Sequence, residues 1–113
     1  MDTTGVFEIL THFGEALERN GIRVMRMILF GSYATGTQSE WSDIDVVVIS
    51  TDFQSMGRWD RAKVLANAVC EVLEPIEAVA FTPEEWEKGD SMLIEAIKSG
   101  KMEEVPLAGS RRG

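Results

Sequence analysis

The sequence predicts a small mixed α/β (α+β) fold in which helices flank one β-sheet. Three apolar runs have the length and composition of strands: residues 23–30, 43–50 and 76–81. Segments with helical periodicity precede, separate and follow them: 4–20, 59–73, a helix starting at 83, and 91–99. The first two strands are joined by about a dozen residues without a full helix. Such a connection favours antiparallel pairing, so we expect a mixed sheet of at least three strands.

Length and composition are those of a small globular domain. The chain has 113 residues and a net charge of −8, and we expect one domain over 1–113 with a flexible tail from about 106. The acidic balance argues against a broad nucleic-acid-binding surface. A single cysteine, no signal-peptide pattern and no apolar run of membrane length indicate a cytoplasmic protein.

The first helix and first strand lead to a polar loop, 31–42. In helix 4–20 the lone His12 has no partner at ligand spacing, and Arg26 near the start of the strand is read as a solvated charge. Ser32 is a good N-cap for one helical turn that Gly36 can end. The free N–H groups of such a turn, beside a glycine without Cβ, suit a phosphate.

The second strand is apolar on both faces and is expected in the sheet interior, followed by a loop at 51–58. Helix 59–73 is expected to bury one stripe of its surface: Ala62, Leu65, Ala66, Val69, Val72 and Leu73. Cys70 beside that stripe is expected to be a small core residue. For Trp41 and Trp59, base stacking is conceivable and packing is the preferred role.

The third strand carries one acid, Glu77, which should lie at an exposed edge or point into a site. Thr82-Pro83-Glu84-Glu85 is a capping box that starts the next helix at Pro83. The helix at 91–99 should turn three apolar side chains inward and end at Gly100: Leu93, Ile94 and Ile97.

The glycines of the loop do not form a P-loop. The spacing Gly31-x4-Gly36 is right, but Thr37 stands where the motif requires lysine, and a strand follows instead of a long helix. We therefore reject P-loop NTP hydrolysis.

Asp43 and Asp45 are candidate ligands for a divalent cation. Carboxylates at i and i+2 of a strand point to one face, and at ~4 Å they repel by roughly 1–4 kcal/mol at effective dielectric constants of ~80 to ~20. Since no Lys or Arg is near in sequence, Mg²⁺ is a natural counter-charge. Taken alone, Asp-x-Asp is better explained by solvated acids at a turn. Glu77 is the remaining strand acid that could join them.

The combination of Gly31-Ser32, ten further residues and Asp43-Ile44-Asp45 resembles the signature of the DNA polymerase β-like nucleotidyltransferase superfamily. Its minimal nucleotidyltransferase branch, short proteins often partnered with HEPN-domain proteins, is the one that LFGSYATGTQSEWSDIDVVVIS resembles. EPIEAVAFTPEEW is similar to the segment with the third acid, and LIEAIKSGKMEEV to the closing helix and strand. The resemblance implies a polymerase β palm-like fold.

The resemblance also implies a role for each matching residue. Gly31 and Ser32 would bind the phosphates of a nucleotide. Asp43, Asp45 and Glu77 would be the catalytic and metal-binding acids, with two Mg²⁺ ions bound and Glu77 orienting or deprotonating the attacking hydroxyl. Many relatives carry arginines at the positions of Tyr33 and Thr35, and aspartate at that of Glu77.

Three functions follow from this resemblance. The preferred one is transfer of AMP from ATP to a hydroxyl, a tyrosine of a partner HEPN toxin, which makes the chain the antitoxin of a type VII toxin–antitoxin pair. The second is a catalytically weak or inactive module that masks its partner. The lowest-ranked is a small-molecule nucleotidyltransferase of the aminoglycoside type. A homo- or hetero-oligomer is compatible with each.

Overall fold

The computed structural model describes residues 3–107. The helices are α1 Thr3–Arg19, α2 Ser32–Thr35, α3 Arg58–Val72, α4 Pro83–Lys88 and α5 Met92–Ser99. The strands are β1 Arg26–Phe30, β2 Ile44–Ile49, β3 Ile76–Phe81 and β4 Glu103–Glu104. Thr51–Ser55, expected as loop, forms a 3₁₀ turn. Of the tail expected from about 106, Leu107 packs against the core, and 108–113 lie outside the described residues.

The four strands form one mixed sheet in the order β3-β2-β1-β4. β1 pairs antiparallel with β2 and with β4, whereas β2 and β3 are parallel. The short connection therefore gives the antiparallel pair that the sequence predicted. The longer connection contains α3, which is the crossover that a parallel pair requires. The prediction of a mixed sheet with flanking helices is confirmed.

The first face of the sheet is covered by α1 and α3 and holds the larger core. Alternate strand residues such as Leu29, Val46 and Val48 are fully buried there, as period-2 geometry requires. Across the described chain, the largest side chains without exposed surface include two aromatic ones, Phe13 of α1 and Phe53 of the 3₁₀ turn.

The predicted buried stripe of α3 is wrong in part. The helix buries Val64, Leu65 and Ala68, with Val69 and Val72 half-buried. The other three predicted members and Cys70 are exposed: Ala62, Ala66 and Leu73. The physical reason is that small apolar residues lie on both the exposed and the buried side of this helix, with Ala62 and Ala66 exposed and Ala68 buried, so they do not define one face. Leu73 is the left-handed residue that ends the helix (φ 61°) and is 85% exposed.

The second face is covered only by the short helices α4 and α5. Trp86, Ile94 and Ile97 pack there on strand residues that include Val47 and Ile49. Leu93, predicted to point inward, is exposed instead, because Ile94 and Ile97 already form the buried side of this two-turn helix. The predicted capping box between Thr82 and Glu85 is present with both of its hydrogen bonds.

Arg61 of α3 joins the two layers at one end of the sheet. Its guanidinium donates to the carbonyl oxygens of Phe53 (2.7 Å) and Met56 (3.1 Å) and pairs with Glu85 of α4 (2.9 Å). A longer bond reaches the carbonyl oxygen of Ala80 at the end of β3 (3.4 Å). One planar fork thus holds the 3₁₀ turn, β3 and α4 together.

The preferred packing role of two tryptophans is wrong. Trp41 is 85% exposed and Trp59 is 80% exposed, because each lies in or beside a connection that no other element covers. None of the helices within residues 3–107 has the length and apolar character needed to cross a membrane.

Candidate active site

The turn after β1 is built on Gly31. Its backbone has φ 75° and ψ −154°, a conformation that only glycine adopts readily. Its carbonyl oxygen accepts from the N–H groups of Ala34 (3.0 Å) and Thr35 (3.2 Å). Gly31 is therefore the N-cap of α2, and Ser32, predicted as the cap, is the first helical residue. Gly36 ends this single turn in the left-handed conformation, as predicted (φ 78°).

The sheet register brings two of the predicted acids side by side. Asp45 in β2 is paired with Phe30 on one side and with Glu77 of β3 on the other. Residues directly paired in a sheet share a face, and here it is the second face. The N–H of Ile44 donates to the carbonyl oxygen of Pro75 (2.8 Å), which aligns the starts of the two parallel strands.

Asp43 lies one residue before β2 and completes what we call the carboxylate cluster: Asp43, Asp45 and Glu77. Asp43 and Glu77 are exposed, and Asp45 is half-buried. The cluster lies at the end of the second face where Gly31 and α2 follow β1. Turn and acids therefore meet at the same end of the sheet.

Gly31 is in direct contact with Asp45. A Cβ atom built on Gly31 would overlap Oδ2 of Asp45 and lie 3.0 Å from its Cγ. The backbone of the turn and the carboxylate thus occupy adjoining space that no side chain could share. The signature residues Gly31 and Asp45, fourteen positions apart in the sequence, form one local structure.

The cluster is electrostatically strained. Burial raises the pKa of the Asp45 carboxyl, and the negative charges of Glu77 and then Asp43 raise that pKa further. Ion pairs in the part of the chain that the structure describes join other residues and include none of these three. No basic side chain in residues 3–107 therefore offsets the repulsion, and the donor set is acidic oxygen.

This donor set fits a hard divalent cation that is shared with a substrate. Considering residues 3–107, no three His, Cys, Asp or Glu side chains are arranged to hold an ion by themselves. Mg²⁺, however, usually takes one or two protein carboxylates and completes its shell with water and phosphate oxygens. Asp43 and Asp45, placed as i and i+2, supply such a pair. A second ion would need Glu77, which is paired with Asp45 across the sheet, as a further ligand.

The loop residues that depart from the family pattern lie in different surroundings. Tyr33 packs against the core of the first face. Thr35 is exposed, and its hydroxyl bonds locally, within 3.4 Å, to Gly31, Ser32 and Thr37.

Phe30 is a neighbour of the acids that the sequence did not indicate. It is half-buried and is paired with Asp45, which is in turn paired with Glu77. The apolar strand pattern marks Phe30 only as a β residue, so only the register could have revealed its position.

Comparison with known proteins identifies the class of protein. The chain matches the model of the nucleotidyltransferase domain family over residues 10–104, which include β1, β2 and β3 together with the carboxylate cluster. The chain belongs to this family, which confirms the resemblance and the class of enzyme predicted from the sequence.

Two curated proteins are similar to this chain in sequence. Over 74 residues the chain is 39% identical to MJ1305 of Methanocaldococcus jannaschii, which bears the provisional name protein adenylyltransferase. Over 55 residues it is 44% identical to the protein adenylyltransferase MntA of Shewanella oneidensis. The matches cover 65% and 47% of this chain. The chain spans half or less of each relative's length, 50% and 40% respectively.

Solved structures share the fold. A toxin–antitoxin structure with AMP-PNP superposes with a TM-score of 0.57 at 20% identity, covering 88% of this chain and 74% of that one. A complex of a tri-AMPylated HEPN toxin of Shewanella oneidensis with MNT antitoxin gives 0.51 at 14% identity, covering 92% and 76%. At these identities the likeness establishes the nucleotidyltransferase fold, as predicted.

Proposed function

We propose that this chain transfers AMP from ATP, with Mg²⁺, to a tyrosine hydroxyl of a HEPN-domain partner and so acts as the antitoxin of a type VII toxin–antitoxin pair. The observation that carries the proposal is the pairing of Asp45 with Glu77 directly beside the Gly31 turn. Both similar curated proteins bear adenylyltransferase names, and the HEPN complex described above has the same fold. The exposed free thiol of Cys70 fits a reducing cytoplasm.

The turn after β1 provides the phosphate site. The first N–H groups of α2, those of Ser32 and Tyr33, have no acceptor within the helix and are free to donate to phosphate oxygens. The missing Cβ of Gly31 lets those oxygens approach the backbone. Contact between this turn and Asp45 brings a bound triphosphate next to the acids.

Asp43 and Asp45 would hold Mg²⁺ together with oxygens of the nucleotide. When bound, the ion neutralises charge that develops on the phosphate oxygens and on the leaving group. Its positive charge would also relieve the repulsion that raises the pKa of Asp45. A site that is unfavourable when empty is thereby suited to fill only with nucleotide and cation together.

Glu77 is the proposed proton acceptor. The acceptor oxygen forms a bond to the α-phosphorus of ATP, and the bond from that phosphorus to the oxygen bridging to the β-phosphate breaks. Pyrophosphate leaves with the electron pair, and the hydroxyl proton passes to the Glu77 carboxylate. Glu77 is exposed and lies next to Asp45, so a hydroxyl from a second protein can reach it.

The second candidate is a module that neutralises its partner by masking alone. It is favoured by the residues found at the two loop positions, because Tyr33 and Thr35 contribute no positive charge to a triphosphate. The two candidates differ in what the acids are for. Neutralisation by masking would persist when the acids are removed, whereas neutralisation by AMP transfer would be lost.

The test combines labelled ATP, Mg²⁺ and the protein encoded next to this chain, for which we propose a HEPN domain. Transfer predicts label on the partner with the wild-type chain and none with the Asp43→Ala/Asp45→Ala double variant. Growth of cells that produce the partner is scored with both chains. If the double variant restores growth as well as the wild type does, masking is sufficient and the transfer proposal is wrong.

A further inference from the structure

Within residues 3–107 the edge of the sheet formed by β3 is unpaired, and its sequence lacks the residues that usually prevent strand addition. β3 is the last strand on its side of the sheet. Ile76–Phe81 contains no Lys, Pro or Gly, and its one charge is Glu77 at the start. Natural edge strands usually carry such residues or bulges to prevent another strand from adding. An unprotected edge is therefore a candidate site for strand addition.

The free hydrogen-bonding groups of that edge can be identified. The carbonyl oxygens of Pro75 and Phe81 accept from N–H groups of Ile44 and Ser50 (2.8 and 3.1 Å), so odd-numbered residues bond inward. Even-numbered residues of β3 then point their N–H and C=O groups outward. Arg61 donates to the carbonyl oxygen of Ala80. The N–H of Ile76 donates to the carbonyl oxygen of Glu74 (2.8 Å). The outward groups left are the C=O of Ile76, the N–H and C=O of Ala78 and the N–H of Ala80.

The groups of Ala78 and Ala80 lie at the base of a groove of about 960 Å³. One wall is α3, with Ala62 and Leu65, and the other is the α4–α5 segment, with Leu93 and Ile94. Three basic and three acidic side chains line it, so the groove has no net charge: Arg58, Arg61, Lys88, Glu84, Glu85 and Asp90. Its walls therefore combine apolar side chains with balanced charges, and the β3 edge adds backbone donors and acceptors.

The shape and direction of the groove select its occupant. Because β3 is recessed between helical walls, β3 of a second copy, recessed in the same way, cannot reach it, whereas a single extended segment can. The β3 residues that line the groove run from Phe81 back to Ala78, which is the residue after Glu77. Ala80 and Glu77 are three residues apart, which is about 10 Å at ~3.3 Å per strand residue. A segment bound there continues directly to the carboxylate cluster.

We infer that the groove along β3 binds an extended segment of the acceptor protein as an added strand and thereby presents its hydroxyl to Glu77. Main-chain bonds to Ala78 and Ala80 would provide affinity, and small or apolar side chains would fill the channel. The inference rests on the proposed function, because it assigns the acceptor's binding mode at that site. The acceptor hydroxyl would lie a few residues from the part of the segment paired with Ala78.

Two exposed alanines of α3 make a matched test. Ala62 lines the groove, whereas Ala66, one helical turn further along, does not. Ala62→Glu should lower kcat/KM for AMP transfer to the HEPN-domain partner by at least about tenfold through KM, and pyrophosphate release without partner should not change. Ala66→Glu should behave as wild type. Equal effects of both variants, or none, would overturn the groove assignment.

Amide hydrogen exchange followed by NMR tests the strand pairing directly. In the free chain the Ala78 and Ala80 amides should exchange faster than the inward-bonded Val79 amide, and the partner should slow them by at least about tenfold. If partner binding leaves the exchange of the Ala78 and Ala80 amides unchanged, the inference is wrong. It is also wrong if the chain alone forms a dimer that Ala62→Glu converts to monomer. If wild type binds the partner without AMP transfer, the proposed function fails, and the exchange result still decides the binding mode.

Discussion

Gly31 and Asp45 are in contact across the first two strands, so that the space of an absent Cβ is occupied by a carboxylate oxygen. Glycine is therefore required at position 31 for two reasons, its positive φ and its missing side chain. This contact links the turn proposed to bind phosphate to the acidic half of the site.

Gly31→Ala should damage both halves. The new methyl group meets the Asp45 carboxylate, and the backbone must hold a conformation that costs an L-residue about 1–3 kcal/mol. We expect stability to fall by about that amount and AMP transfer to fall below a hundredth of the wild-type rate, which a shift of reacting groups by ~1 Å can cause. Urea unfolding and single-turnover transfer measure the two effects.

Gly36→Ala is the matched control. Gly36 also has a positive φ (78°), but a Cβ there meets nothing within 4 Å. It should lose only about 1–2 kcal/mol and keep most of its transfer rate. Equal losses of rate in the two variants would show that backbone strain alone matters and that contact with Asp45 does not.

Asp45→Asn should stabilise the metal-free fold while abolishing transfer. The change removes a half-buried charge that lies beside two like charges, without adding bulk against Gly31. Because the folded-state pKa of Asp45 is raised, the native state binds the proton more tightly than the unfolded state does. Stability of the wild type therefore falls as pH rises through that interval.

The advantage of Asp45→Asn should accordingly be largest at neutral pH and shrink as the solution is acidified toward the unfolded-state pKa. Urea unfolding with EDTA at several pH values measures this, and Glu40→Gln, which removes an exposed charge, is the control. A variant less stable than wild type at neutral pH would contradict the electrostatic account.

Thr35→Arg should tighten nucleotide binding. Thr35 is exposed on the phosphate turn, and its hydroxyl makes only local bonds. A guanidinium there is expected to lower the Kd of ATP by about tenfold, or ~1.4 kcal/mol, at low salt. Calorimetric titration should show the gain fading as ionic strength rises.

The control for charge alone is Gln54→Arg, since Gln54 is exposed in the 3₁₀ turn after the opposite end of β2. It changes the net charge by the same amount as Thr35→Arg. The Kd of ATP should stay within about twofold of the wild-type value. Equal gains in both variants would refute a local contact.

Arg61→Ala should lower stability by about 2–3 kcal/mol, because several hydrogen bonds of one charged group are lost together. Arg61→Lys should restore little, since an ammonium cannot reproduce the fork. Arg61 also holds the pKa of Glu85 low, chiefly by hydrogen bonding. That contribution to stability is present above the unfolded-state pKa of Glu85 and is lost as pH falls through the lowered one.

The loss of folding stability on acidification through this pH range should therefore be smaller in Arg61→Ala than in the wild type. Arg19→Ala, which removes an exposed pair with Glu71, should cost less than about 1 kcal/mol. Thermal unfolding of the three variants is sufficient, and similar losses for Arg19 and Arg61 would contradict the joining role assigned to Arg61.

The strands and the two aspartates could be predicted from sequence because their signals are local. Apolar runs, turn glycines and i, i+2 spacing depend only on neighbouring residues. The pairing of Asp45 with Glu77 could not be predicted in the same way. It depends on the register of two parallel strands separated by all of α3, and no local pattern specifies a register across such a crossover.

Side-chain exposure was predicted least well. In α3, small apolar residues on both the exposed and the buried side made the buried stripe ambiguous, so Cys70 and Leu73 were wrongly assigned to the interior. Trp41 and Trp59 were expected to pack because large aromatic side chains usually do. Their exposure depends on what the rest of the chain leaves uncovered, which is a property of the whole fold.

The central claim is tested most directly by the intact mass of the HEPN-domain partner after incubation with ATP, Mg²⁺ and this chain. The account predicts that wild type adds the mass of one or more AMP groups and that the well-folded Asp45→Asn variant adds none. An unmodified partner with wild type, addition of phosphate alone, or equal AMP addition by Asp45→Asn would contradict it.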